Sequence, residues 1–171
     1  MVKLPDTITE EELFDIMRAT KDKKYRLAFA LGFYQCMRVS EIAKLRPQHI
    51  DKNLKLIYIK QAKGHKDRNI PIAPRVMPAL RYLPVGNDTA KDFGIRAIQY
   101  QFSNCSEKAL GKRLNFHILR HSGITYYLTK RKWNTMQVQR MAGHSKSAIT
   151  EIYTHIRPED LVDKMWEEET K

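Results

Sequence analysis

The sequence predicts a mainly α-helical domain carrying one small antiparallel β-sheet insertion, an α+β arrangement. Capped stretches with helical apolar spacing fill most of the chain. Between them, only residues 54–59 and 68–72 alternate apolar with polar side chains. At 171 residues and 42% apolar content, the chain is of single-domain size and rich enough in apolar side chains to build a core.

The elements follow in order. Thr9-Glu10-Glu11-Glu12 is a capping box, with Thr9 at the N-cap and Glu12 reaching back, and Leu13, Ile16 and Met17 supply the buried stripe. A second helix spans Asp22 to Gln35. It is apolar around much of its circumference (Leu27, Phe29, Ala30, Leu31, Phe33 and Tyr34), which makes it central. Ser40 caps a short helix through Leu45 that stops ahead of Pro47. Leu54–Ile59 and Arg68–Ile72 read as strands joined by a turn at Lys63-Gly64-His65-Lys66. Everything after Pro74 reads as helical, with helices near 75–82, 92–102, 106–113, 117–131, 134–142 and 147–154. A last helix starts at Pro158, followed by Glu159 and Asp160, and runs to about Glu168.

The net charge of +12 calls for an acidic partner, and phosphate binding that weakens with salt is the expected consequence. Residues 159–171 carry six acids and two bases, so the rest of the chain is more basic still. Cys36 and Cys105 are isolated, without the spacing of a zinc site or a disulfide framework, which fits a reducing interior. The N-terminal Met-Val-Lys-Leu-Pro-Asp lacks a signal-peptide core, and no apolar run approaches membrane-spanning length. A soluble, cytoplasmic protein is expected, nucleoid-associated or inside a host cell, with no membrane partner.

The chemistry concentrates in a few short stretches. In His117-Ile118-Leu119-Arg120-His121, His117 and Arg120 lie one helical turn apart on one face and can converge on a ligand. Gly143-His144 and Tyr153 follow, and Arg38 in Arg-Val-Ser-Glu and Lys63 beside Gly64 precede them. The set offers donors for phosphate oxygens, a proton source and a nucleophile, with no carboxylate cluster for a metal. Each signal alone has an ordinary reading. Arg38 could pair with Glu41 or cap a helix, Lys63 could be a solvated turn residue, His144 could sit at a helix C-terminus, and Tyr153 could pack in the core. His117 and His121 have a spacing that zinc sites use, but Ile118 stands where a metalloprotease needs its base.

Together, Arg38-Val39-Ser40-Glu41, Lys63-Gly64-His65-Lys66-Asp67-Arg68, His117-x-x-Arg120-His121, Gly143-His144 and Tyr153-Thr154-His155 closely resemble the catalytic domain of the tyrosine recombinases, the phage integrase family. The resemblance covers Thr9 to about His155. It departs in one place: the family usually has a glycine two residues before the first arginine, where this chain has Cys36. It implies a catalytic domain over residues 1–157, an acidic helical tail over 158–171, and the absence of the family's N-terminal DNA-clamping domain.

The resemblance also implies an activity: site-specific cutting and rejoining of DNA through a 3′-phosphotyrosine, without metal, ATP or another cofactor. Tyr153 is then the nucleophile. Arg38, Arg120 and His144 bind the phosphate oxygens, His117 takes the phenol proton and Lys63 protonates the 5′ leaving oxygen. Glu41 orients this shell, and His121 is a supporting residue. Lys44, Lys60, Lys66, Arg68, Lys112 and Arg113 are expected to track the backbone of double-stranded DNA. Self-association into dimers or tetramers on DNA is implied. The tail, with Leu161, Val162, Met165 and Trp166 on one face, either packs on its own domain or docks on a neighbouring protomer. A type IB topoisomerase shares the chemistry, and a noncatalytic DNA-binding module would share the charge. A metal-dependent nuclease would need ligand spacing that is missing.

Overall fold

A computed structural model describes residues 6–60, 67–86, 94–143 and 158–167. The described elements are α1 (Glu10–Arg18), α2 (Lys23–Tyr34), α3 (Val39–Lys44), β1 (Ile50–Asp51), β2 (Leu56–Ile59), β3 (Arg68–Pro71), a 3-10 turn at Met77–Tyr82, α4 (Ile95–Leu110), α5 (His117–Thr129), α6 (Thr135–Ala142) and α7 (Pro158–Glu167). The mainly helical architecture with a small antiparallel sheet agrees with the sequence. Lys63–Lys66 and the helix expected at 147–154 lie outside the described residues.

The capping box of α1 is present: the Thr9 hydroxyl accepts from the Glu12 amide, and the Glu12 carboxylate accepts from the Thr9 amide. Helix α2 is buried around most of its surface and forms the centre of the molecule. It packs on α5 and α4, where Phe29 meets Phe102 edge-on at 5.2 Å, and Phe102 meets Phe116 at 5.4 Å. The α2–α5 approach is close because Gly123 has no side chain. A Cβ there would sit 2.0 Å from the Phe33 carbonyl oxygen and 3.0 Å from the Cys36 sulfur.

Three details differ from the sequence reading. Helix α3 is capped at Arg38 rather than Ser40, because the Glu41 carboxylate reaches back to accept from the Arg38 amide at 2.8 Å. The helices expected at 92–102 and 106–113 are, over the described residues, one helix, α4. Ile98, Phe102 and Cys105 form a continuous buried stripe whose packing outweighs the weak helical preference of Ser103 and Asn104. It ends where Gly111 turns left-handed at φ 69°. Strand β1, two residues long, is too short to show a pattern; it pairs Ile50 with Ile57 and Asp51 with Leu56.

Strands β2 and β3 pair antiparallel, with Ile59 opposite Arg68 and Ile57 opposite Ile70. Helix α7 lies against β3 of its own domain. Leu161 and Met165 are buried, and the Trp166 indole N–H donates to the Ile72 carbonyl at 3.0 Å. Among the described residues, no helix is long and apolar enough to cross a membrane.

Candidate active site

Arg120 sits on the first turns of α5, which begins at His117. Gly123, on the turn that follows, lets this end of α5 press against the C-terminus of α2, where Cys36 takes a left-handed conformation at φ 50°. That conformation costs a non-glycine residue about 1–2 kcal/mol. It coincides with a hydrogen bond in which Arg120 Nη1 donates to the Cys36 carbonyl oxygen at 2.5 Å. Cys36 thus occupies the usual glycine position and still adopts the backbone a glycine would favour. Its thiol is fully buried, and that burial pushes its pKa up to about 12, so it is chemically quiet.

Arg120 itself is only 3% exposed, and its Nη2 is buried without a hydrogen-bond partner among the described residues. Burial first, and the Arg38 guanidinium second, push its pKa down to about 10, which leaves it cationic at neutral pH. A buried, charged donor without an acceptor is costly, and an anion supplied from outside would relieve it.

Arg38 is the N-cap of α3 and remains 39% exposed at its side chain. Its Nη1 donates to Glu41 Oε1 at 3.2 Å, while its amide donates to Glu41 Oε2. Glu41 therefore fixes both the backbone and the head group of Arg38. The electrostatic coupling of Arg38 with Arg120 and His117 places three cationic or proton-bearing groups around one region.

His117 is exposed at the start of α5, where its amide donates to Asn115 Oδ1 at 2.9 Å. Its ring meets His121 edge-on, with centroids 4.5 Å apart. Desolvation is the main cause of a lowered His117 pKa, and His121, Arg120 and Arg38 add to it. The imidazole is thereby held neutral and able to accept a proton at neutral pH. Among the described residues, no three His, Cys, Asp or Glu side chains are grouped as metal ligands.

Lys63, Lys66, His144 and Tyr153 lie outside the described residues. Of the other residues expected to track DNA, Lys44, Lys60 and Lys112 are exposed. Arg113 is exposed as well, and donates to Glu107 at 2.9 Å and to Asn104 at 3.1 Å. Arg68 needs correction as a candidate for backbone contact. Its side chain is 7% exposed, with Nη1 donating to Glu41 Oε1 at 2.6 Å and Nη2 to Glu41 Oε2 at 3.0 Å. The reason lies in register: Arg68 shares the inward face of β3 with Ile70, opposite Ile59. The sequence reading missed the Glu41–Arg68 pair and the Cys36 carbonyl as the seat of Arg120. The first was signalled by strand alternation; the second depends on tertiary approach.

Comparison with known proteins matches this geometry to a group. The model of the phage integrase family matches residues 6–160. A tyrosine recombinase of Thermosipho africanus is 27% identical over 94% of this chain and 61% of its own length, so the chain spans about three fifths of that relative. Among solved structures, the integrase of mycobacterium phage Brujita superposes with a TM-score of 0.79 at 20% identity, covering 95% of this chain and 57% of that one. A lambda integrase dimer bound to a COC′ core site superposes with a TM-score of 0.65 at 18% identity, covering 86% of this chain and 58% of that one. The chain, from its capped first helix through its paired arginines, belongs to the phage integrase family.

Proposed function

We propose that this chain is the catalytic domain of a site-specific DNA recombinase that cuts and rejoins strands through Tyr153. The observation that carries this reading is the buried Arg120, charged, with an Nη2 that lacks a partner among the described residues, and close enough to the partly exposed Arg38 to feel its charge. Two planar guanidinium forks suit the non-bridging oxygens of a phosphodiester, where negative charge builds in the pentavalent transition state. Each fork supplies about 3–4 kcal/mol there, by analogy with oxyanion-hole donors.

In the proposed step, the Tyr153 phenolic oxygen attacks phosphorus and its proton passes to His117. The bond from phosphorus to the 5′ oxygen breaks, and Lys63 supplies the proton that oxygen needs. The product is a 3′-phosphotyrosine with a free 5′-hydroxyl, which conserves the ester energy for attack by another strand. No metal ion or nucleotide enters this scheme. His144 donates to a phosphate oxygen, and Glu41 holds Arg38. Double-stranded DNA is the substrate, with Lys44, Lys60, Lys66, Lys112 and Arg113 proposed to lie along its backbone. The net charge of +12 supports that partner. Pairing of two or more copies on DNA follows the dimeric form of the lambda integrase complex.

The test is incubation with nicked duplexes bearing candidate sites, in the presence of EDTA. Denaturant-resistant protein–DNA adducts, and joined products from two different duplexes, are expected. On a separate supercoiled plasmid, relaxation without joined products from either substrate would instead make the chain a topoisomerase-like nicking and rejoining enzyme.

A further inference from the structure

We propose that Arg68 is a positioning residue that fastens together the chain segments from which the reactive side chains emerge. The inference rests on the recombinase reading for what those side chains do, but on this structure alone for what Arg68 holds. Arg68 is the first residue of β3, five positions after Lys63 in sequence. Both of its terminal nitrogens are spent on Glu41, at 2.6 and 3.0 Å, and its Nε donates to the Met141 carbonyl at 3.2 Å, in the last turn of α6. Glu41 in turn accepts from the amide and Nη1 of Arg38. Met141 is followed, two residues on, by Gly143, the residue before His144.

The α6 end is also closed onto Arg68 by shape. Gly143 is left-handed at φ 68°, and a Cβ placed on it would lie 2.8 Å from Arg68 Cδ and Nε and 2.9 Å from Cζ. Glycine at this point therefore meets two demands, backbone conformation and contact with the guanidinium plane. One buried fork thus ties β3, α3 and α6 at a single point. A lysine has no second nitrogen to hold Glu41 and Met141 together, so charge alone does not replace it. The arrangement differs from a DNA contact, for which an arginine must offer its donors to solvent.

Arg68→Lys and Gly143→Ala in the full chain test this, with Arg68→Lys chosen to keep the buried charge balanced against Glu41. First, binding to a mixed-sequence duplex is followed against salt. Arg68→Gln, which removes the charge that Arg68→Lys retains, is expected to leave the slope of log Kobs against log salt as in the wild type; a slope shallower by about one unit would mark Arg68 as a phosphate contact and overturn the proposal. Second, amide hydrogen exchange is expected to speed up in both 39–44 and 139–143 in Arg68→Lys, with α1 and α4 unchanged. Acceleration in only one of those segments, or in neither, would overturn it. Third, covalent adduct formation on a nicked duplex that the wild type cleaves is expected to slow about 100-fold at unchanged DNA affinity, as for a small misplacement of catalytic groups. An undiminished rate would overturn it. The effects of Arg68→Lys and Gly143→Ala are expected to be less than additive, because the added methyl would push aside the guanidinium whose hold on Met141 and Glu41 the lysine already lacks. Full additivity would count against the contact. If the wild type forms no adduct on any duplex, the recombinase reading fails, while the salt and exchange results still decide the role of Arg68.

Discussion

Arg120 is seated on Cys36: its Nη1 donates to the Cys36 carbonyl oxygen at 2.5 Å, from α5 to the second residue past α2. The other terminal nitrogen of the same guanidinium is buried and has no hydrogen-bond partner among the described residues, which leaves a charged donor for a ligand. Replacing Arg120 by Lys keeps the charge and loses the fork that bonds Cys36 with one arm while offering the other. Adduct formation on a cleavable duplex is expected to fall at least about 100-fold, in line with loss of one oxyanion-type donor, while DNA affinity changes little. Unchanged cleavage would contradict the role given to Arg120.

The same orphaned donor predicts stabilisation by a simple anion. Inorganic phosphate or vanadate, added at constant ionic strength, should raise the melting temperature by an amount equivalent to about 1.4 kcal/mol at ten times its Kd. The sign follows from Arg120: its pKa is pushed down, so its charge is a cost in the unliganded fold that a nearby anion repays. Calorimetry of Arg120→Met should show no such rise. An equal rise in that variant would place the anion elsewhere.

Gly123 fixes how closely α5 approaches α2. A methyl group there would fall 2.0 Å from the Phe33 carbonyl oxygen, which is backbone and cannot rotate away. Gly123→Ala is therefore expected to lose about 1–3 kcal/mol of stability, read as a drop in melting temperature of about 2–4 °C per kcal/mol. Because the displacement would carry Arg120 off the Cys36 carbonyl, adduct formation should fall further than stability alone accounts for. A stable, fully active Gly123→Ala protein would show that the close approach is dispensable.

His117 sets the acid limit. Its pKa in the fold is lowered from the ordinary 6.5, chiefly through desolvation, so the neutral, proton-accepting imidazole prevails at neutral pH and is lost in the acid range. Single-turnover adduct rates are expected to hold at neutral pH and to fall in the acid range, with a midpoint below the ordinary histidine value. The effect on stability has the same direction. Well above 6.5 His117 adds nothing to the pH dependence; as pH falls through 6.5 the unfolded chain takes up the proton before the folded one does, which weakens the fold. His117→Gln should remove this acid limb of the rate profile together with most of the rate. An acid limb that survives in the variant would assign the proton acceptor to another group.

Much of the scaffold was legible in the sequence because it is written locally. The Thr9–Glu12 box, the all-round apolar α2 and the proline-led α7 each depend on residues within a turn or two of one another. The arginines and histidine of the site were legible as a pattern of residue types, and Arg38, Glu41, His117 and Arg120 are grouped by contact or by charge in the fold. What escaped was long-range. Arg68 reads as one more surface cation in a basic chain until strand register turns it inward. The left-handed Cys36 and the Gly123 contact exist only once α2 and α5 have met. Continuity of α4 through Ser103 and Asn104 was likewise decided by packing rather than by propensity.

The proposed chemistry requires that Tyr153 become joined to DNA. Adduct trapped on a nicked duplex would be digested and the DNA-linked peptide identified by mass spectrometry. A phosphoester on the Tyr153 side chain, absent in Tyr153→Phe, is expected; linkage to any other residue, or adduct that persists in that variant, would rule out Tyr153 as the nucleophile.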